Sequence, residues 1–384
     1  MQIKKYTSYQ TKHISLYREI LNLTHNAEQT YPGYFKWFHQ TFLEGLKKKD
    51  SEADIRFWDS TRMVTVMGVV EVFGQIPKIL RIFSKCKKDI LSFKPDVLIL
   101  VDYPGFNLRI AEFAKSNHIK VCYYISPQIW AWKKGRIKKI KRDVDEMMVI
   151  LPFEEKFYAE QGMKVNYVGH PLLDAVSKDL HDSDEVKQFR SKHGFDDREI
   201  IALLPGSRKQ EITALLPQML KMVALFPQYQ FAVSVVSWQP KSLYEKYIKD
   251  TPVKMVEGSA YPLLANAKAA IVTSGTATLE TAMIGTPEVV CYAGNELSYL
   301  IAKQLVHGIN YISLVNLIMD KKVVTELIQH DYNTLHLQEE LVAITEDEAN
   351  VARIKDEYRQ LYALLGDGSA SAKAAEVVIN LAKR

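Results

Sequence analysis

Short apolar runs alternate with helix-period segments along most of this chain. PDVLILVD at Pro95–Asp102 is almost continuously apolar and ends in an acid. IKVCYYIS at Ile119–Ser126, EMMVILPF at Glu146–Phe153 and VNYVGHP at Val165–Pro171 repeat the pattern, with helical spacing between, as at Asn107–Asn117. A second series runs through EIIALLP at Glu199–Pro205, a helix to about Leu225, then Phe231–Val236, Val253–Val256, Lys268–Ser274 and Val289–Ala293. Strands without a polar face are buried on both sides, so this alternation predicts parallel sheets covered by helices on both faces. The expected fold class is α/β, with two doubly wound, Rossmann-like units in tandem. The polar stretch Pro171–Glu199 marks their boundary, giving a first unit over 46–171 and a second over 172–345. Residues 346–384 add terminal helices at Glu348–Leu365 and Ala370–Lys383. Residues 1–45 depart from the pattern: rich in Tyr, His and Asn, they read as two weak helices. Neither an apolar strand nor a Gly-rich turn is seen before Asp50.

Composition narrows the classes without choosing among them. The 384 residues are 47% hydrophobic and 25% charged, which excludes a disordered or collagen-like chain. The net charge of +5 is too small to imply a nucleic-acid binder. Cys86, Cys122 and Cys291 form no CxxC pair, so a reducing compartment is expected, with no disulfide frame and no metal site. No apolar run reaches the roughly 18 residues of a membrane span, and the first residues lack a signal-peptide core. A cytoplasmic protein follows, with residence at a membrane surface left open.

Three turns carry candidate chemistry. In LLPGSRKQEI, Leu203–Ile212, a strand ends at a Gly206–Ser207 turn and Arg208 enters the first turn of a helix. Free backbone N–H groups beside a guanidinium suit a phosphate; a plain strand–helix joint is the alternative. In TSGTATLETAMIG, Thr273–Gly285, Gly275 allows close backbone approach, Thr276 or Thr278 can cap the helix, and Glu280 lies about one turn in. A helix N-terminus binds anions and a glutamate accepts hydrogen bonds from sugar hydroxyls, so the pair reads as a nucleotide site. The alternative is a capped helix with a solvent-facing glutamate. In LVDYPGFN, Asp102 ends a buried strand and reads either as a general base or as an Asx turn. His170, in VGHP, reads as a turn histidine, because no second ligand stands at metal spacing.

Two further segments bear on surfaces. In SPQIWAWKKGRIKKIKR, Trp130 and Trp132 precede Lys133, Lys134, Arg136, Lys138, Lys139, Lys141 and Arg142. Tryptophans beside a cationic helix suit an anionic membrane or a phosphorylated lipid, with nucleic acid as the competing reading. VMGVVEVFGQIPKIL, Val66–Leu80, is a core helix or an interfacial one, and Pro77 limits its continuity.

The strings MGVVEV, KPDVLILVDYPGFN, YYISPQIWAWKKGRIKKIK, LPFEEKFY, YVGHPLLD, LLPGSRKQEI, TSGTATLE and YISLVNLI occur in this order. Together they resemble the lipid-A-disaccharide synthases, membrane-surface glycosyltransferases of Gram-negative bacteria, from about residue 41 onward. The resemblance implies a GT-B-like fold, with two domains facing across a cleft and the last helices returning to the first. It implies that UDP-2,3-diacylglucosamine and 2,3-diacylglucosamine 1-phosphate are joined, with inversion and without a metal or other cofactor. Asp102 would be the base for the acceptor 6-hydroxyl. Arg208, with Gly206 and Ser207, would meet the diphosphate. Gly275, Thr276 and Ala277 would offer backbone, Glu280 would hold the ribose, and Asn316 would line the UDP pocket. Val66, Val69, Val70 and Phe73, with Trp130, Trp132 and the basic residues Lys133, Lys134, Arg136, Lys138 and Lys139, would face phospholipid and acyl chains. The implied partners are the two acylated sugars, the cytoplasmic face of the inner membrane and a second copy in a homodimer, but no nucleic acid. The family opens with an apolar strand and a GEASGD-type loop; neither string occurs here. An impaired UDP-binding relative and a UDP-N-acetylglucosamine 2-epimerase-like enzyme are the alternatives.

Overall fold

Two six-stranded parallel sheets organise the chain. The computed structural model describes residues 13–15, 42, 44–49, 54–55, 69–131, 133–176, 180–258, 260–294 and 310–384. The first sheet holds β1 (His13–Ser15), β2 (Asp54–Ile55), β3 (Val97–Val101), β4 (Lys120–Tyr124), β5 (Glu146–Val149) and β6 (Asn166–Tyr167), in the order β2-β1-β3-β4-β5-β6. The second holds β7 (Ile200–Leu204), β8 (Gln230–Val235), β9 (Lys254–Glu257), β10 (Ala267–Thr273), β11 (Glu288–Tyr292) and β12 (Glu326–Ile328), in the order β12-β11-β10-β7-β8-β9. Every pairing is parallel.

The central strands of the first sheet are almost wholly apolar because that sheet is covered on both faces. In the first sheet Leu98, Leu100, Tyr123, Met147 and Val149 point into one core, with Phe106, Ile110 and Ile140 from covering helices. Their neighbours Val97, Ile99, Cys122, Tyr124 and Met148 point into another. This two-residue alternation is the pleat of a strand with no wet face. The second core is closed by Ala374, Ala375, Val378, Ile379 and Leu381 of the Ala370–Lys383 helix, whose alanines let it lie close on the sheet.

The chain divides into two units: the described residues within 1–28, 36–169 and 369–384 belong to one, and those within 170–368 to the other. The expected terminal pair is therefore split. The Glu348–Leu365 helix stays with the second unit, where Tyr358 donates to buried Glu288 at 3.5 Å. Gly366 and Gly368, both in the left-handed region at φ 112° and 78°, turn the chain before the last helix.

Residues 1–45 also need correction. His13–Ser15 is a strand, paired with β2 through His13 and Ile14 and with β3 through Ile14 and Ser15. Three residues are too few to show a period, so sequence could not reveal it. The helix expected to falter at Pro77 instead runs through it, Val69–Phe93. One internal proline removes a single backbone hydrogen bond and bends a long helix more readily than it ends it. Among the described residues no helix is long and apolar enough to cross a membrane. Cys86, Cys122 and Cys291 are buried free thiols.

Candidate functional site

In an open parallel sheet, ligands bind where the strand order reverses, beyond the carboxyl ends of the strands. In the second sheet the chain runs outward through β7, β8 and β9, then returns beside β7 as β10. The switch point therefore lies between β7 and β10, and the loops leaving it are Pro205–Arg208 and Ser274–Gly275. In the first sheet the reversal lies between β1 and β3, and Asp102 follows β3. The three turns singled out from sequence thus all sit at switch points, each within its own unit.

The Gly206–Arg208 turn is tighter than its sequence suggests. Gly206 has φ 106°, and a Cβ there would lie 2.5 Å from Glu211 Oε2. Glu211 is the reason: its Oε2 accepts the N–H of Ser207 at 3.0 Å and of Arg208 at 3.1 Å. Its Oε1 accepts Arg208 Nη1 at 2.8 Å. The Ser207 and Arg208 N–H groups expected to be free are therefore spent on a carboxylate within the same helix, Lys209–Met219. Arg208 caps that helix from outside its first turn. Trp238 Nε1 and Gln239 Nε2 both donate to the Ser207 carbonyl, at 3.0 and 3.1 Å, and pin the turn from β8's loop. The Arg208 side chain stays 59% exposed. An exposed pair three residues apart contributes little, so the guanidinium can leave Glu211 for a more highly charged anion.

The second loop is the more open. Gly275 precedes the Thr276–Ile284 helix, and a Cβ placed on it would meet nothing within 4 Å. Neither threonine caps the helix by its side chain: Thr278 Oγ1 instead donates to the Gly275 carbonyl at 2.8 Å. The backbone of Thr276 and Ala277 thus opens the helix without a side-chain cap. Glu280 is only partly turned to solvent. It is half-buried, Tyr261 Oη donates to its Oε1 at 3.1 Å, and burial holds its carboxyl above the usual range, partly offset by that hydrogen bond.

Asn316 is placed differently from the expectation. Fully buried, its Nδ2 donates to Val324 O and Glu326 Oε1, both at 2.9 Å, and its Oδ1 accepts from Val323 and Val324 N–H. With donors and acceptor all used, its side chain shapes the 313–326 segment and has nothing left to offer a ligand.

At the first switch point Asp102 and Tyr103 are both left-handed, at φ 47° and 43°, just before Pro104 starts the Pro104–Ser116 helix. Asp102 is exposed at the sheet edge but hemmed in by protein on its other sides. Burial holds its carboxyl above the ordinary aspartate value, and the Tyr103 backbone N–H partly brings it back. His170 is buried and neutral, accepting the Leu172 N–H at 3.2 Å; burial lowers it to about 3. Among the described residues no group of three His, Cys, Asp or Glu could hold a metal.

The basic segment is not one cationic helix. Lys134–Arg136 is a 3-10 turn and Ile137–Asp143 a short helix. Part of its charge is spent locally: Lys139 lies 3.7 Å from Glu112, and Arg142 bonds Glu112 and Asp143, each at 2.7 Å. Lys133, Lys134, Lys138 and Lys141 remain exposed. Trp130 is half-buried, edge-on to Phe153 at 5.0 Å, so it packs inward more than an interfacial anchor would. Trp132 and Val66, and the side chains of Val69, Val70 and Phe73, lie outside the described residues.

Sequence gave no sign of the buried carboxyl that holds this segment. Glu154 accepts Ser126 Oγ at 2.8 Å and the N–H groups of Ile150 and Leu151, while Tyr158 Oη meets Ser126 Oγ at 3.1 Å. Burial pushes it from 4.5 to about 7, against the pull of those donors. A carboxyl raised by folding opposes the fold once charged, so this cost grows between pH 4.5 and 7. Glu154→Gln should match the native chain below pH 4.5 and exceed it in stability by about 3 kcal/mol at pH 8. Urea midpoints of both proteins across that range check it.

A family model described as lipid-A-disaccharide synthetase matches residues 21–379. Lipid-A-disaccharide synthase of Syntrophus aciditrophicus (strain SB) is 40% identical over 349 residues, 89% of this chain and 90% of that one. That of Coxiella burnetii (strain Dugway 5J108-111) is 35% identical over 338 residues, 87% of this chain and 89% of that one. Among solved structures, the UDP-GlcNAc 2-epimerase of Neisseria meningitidis bound to UDP-GlcNAc has TM-score 0.58 at 14% identity. It covers 96% of this chain and 100% of its own. The glycotransferase of kitacinnamycin has TM-score 0.59 at 11% identity, covering 97% and 99%. At such identities these two share the fold alone, the GT-B arrangement of two parallel α/β units. The family model and the relatives go further, and with them the chain belongs to the lipid-A-disaccharide synthase family.

Proposed function

We propose that the chain transfers the diacylglucosamine of UDP-2,3-diacylglucosamine to 2,3-diacylglucosamine 1-phosphate, releasing UDP and lipid A disaccharide 1-phosphate. The observation that carries this reading is the placement of Asp102 and Arg208 in loops at the two switch points, with Glu280 about one turn into the helix that leaves the second. In the reaction the acceptor 6-hydroxyl oxygen bonds to the anomeric carbon while its proton passes to the Asp102 carboxylate. The anomeric carbon–oxygen bond to the diphosphate breaks, and its electron pair leaves on UDP. Negative charge then grows on the diphosphate. Arg208 and the uncapped end of the Thr276–Ile284 helix are suited to stabilise it. Glu280, half-buried and anchored by Tyr261, is suited to the ribose hydroxyls. The exposed lysines at 133, 134, 138 and 141 support attraction to an anionic membrane face, where acylated substrates reside. Incubating the folded protein with both acylated sugars in detergent should release UDP in step with disaccharide. No release from protein with a cooperative melting transition would overturn the reading.

A further inference from the structure

We propose that Asn107 and Tyr123 are positioning residues for Asp102, clamping its carbonyl so that a left-handed corner presents the carboxylate at the sheet edge. This rests on Asp102 being the base. The corner is costly. Left-handed backbone is disfavoured for residues with a side chain, and Tyr103 also precedes a proline, which further disfavours helical conformations of either hand. An ordinary strand–helix joint would place glycine or asparagine there, yet the glycine comes two positions later, at Gly105. Strained backbone persists only when its surroundings over-determine it.

The surroundings do so at one atom. The Asp102 carbonyl oxygen accepts Tyr123 Oη at 2.5 Å and Asn107 Nδ2 at 2.7 Å, filling both its lone pairs. Asn107 Nδ2 also donates to Val101 O at 2.9 Å, and the Asp102 N–H donates to Tyr124 O at 2.9 Å. The clamping side chains are buried, Tyr123 at 0% and Asn107 at 5% exposed, and come from two elements, β4 and the Pro104–Ser116 helix. The peptide planes on either side of Asp102 are therefore held, and swinging either plane is what would re-aim its side chain. Both side chains are buried and meet this corner only through the Val101 and Asp102 carbonyls, so each would act through Asp102.

Tyr123→Phe, which deletes one oxygen from a packed ring, and Asn107→Ala test this, alone and combined with Asp102→Asn. We expect kcat to fall about tenfold in Y123F and about 100-fold in N107A, since a misplacement near 1 Å costs that much. KM for both sugars and the Kd for UDP should stay within about twofold, and the acid limb of the pH profile should move. In the D102N background neither substitution should lower the residual rate further. Equal losses in both backgrounds would mean a general structural role and overturn the inference. So would a normal D102N defect beside unchanged Y123F and N107A. Full turnover by D102N would overturn the base assignment itself, and this inference with it. Y123F carries the test if N107A does not fold.

Discussion

Asp102→Asn is expected to lower kcat by about 10²–10⁴-fold, the usual contribution of a positioned general base. The amide is isosteric and keeps the corner, but it cannot take the hydroxyl proton. UDP binding should be unchanged, because Arg208, Gly275 and Glu280 belong to the other unit. The pH dependence gives a second readout. Burial holds the Asp102 carboxyl above an ordinary aspartate, so a larger share stays protonated in mild acid. The acid limb of kcat/KM should therefore lie above the normal aspartate range and disappear in D102N. Steady-state UDP release across pH, with calorimetric titration of UDP, measures both. Wild-type turnover in D102N would remove Asp102 from the chemistry.

Arg208→Ala should lower kcat by about 10²–10³-fold, the scale of losing one charged donor to a developing anion. Arg208→Lys should restore little, because an ammonium lacks the planar fork that grips two phosphate oxygens. The Glu211 contact sharpens the expectation. In R208A the Ser207 N–H still donates to Glu211 Oε2, so the turn keeps its shape and the melting temperature should hardly change. A large loss of rate without loss of stability would separate the guanidinium's chemical role from its place in the turn. A melting temperature that falls as steeply as the rate would argue for a structural arginine.

The strands most legible in this sequence share one physical property: burial on both faces over about five residues. Val97–Val101, residues 121–124 and Ile200–Leu204 stand out because no charged residue interrupts them. His13–Ser15, Asp54–Ile55 and Glu326–Ile328 are two or three residues long and are strands because neighbours offer them partners. No local pattern records that. The same divide runs through the site. Asp102 and Arg208 are proposed from their places after strands, and Glu280 from its place one turn into a helix that follows one. Glu211 is harder to find, because the capping-box signal wants serine or threonine three residues before the acid and Arg208 stands there. Asn107, Tyr123 and Glu154 act through carbonyls, N–H groups and hydroxyls brought together by the sheet, Glu154 reaching back 28 residues to Ser126. Asn316 shows what sequence does not carry: the side-chain hydrogen bonds of a residue in a recognised string all turn inward.

The last helix carries a consequence for synthesis on the ribosome. Ala370–Lys383 closes a face of the sheet built from β3, β4 and β5, so the unit begun first is completed last. Every residue of 170–368 has left the peptidyl-transferase centre before that face can be covered. Until then Val97, Ile99, Cys122, Tyr124 and Met148 lack their covering helix, while the second unit already holds all its parts. The order of folding can thus run opposite to the order of translation, and the interval before the final helix emerges is when this chain most needs protection from aggregation.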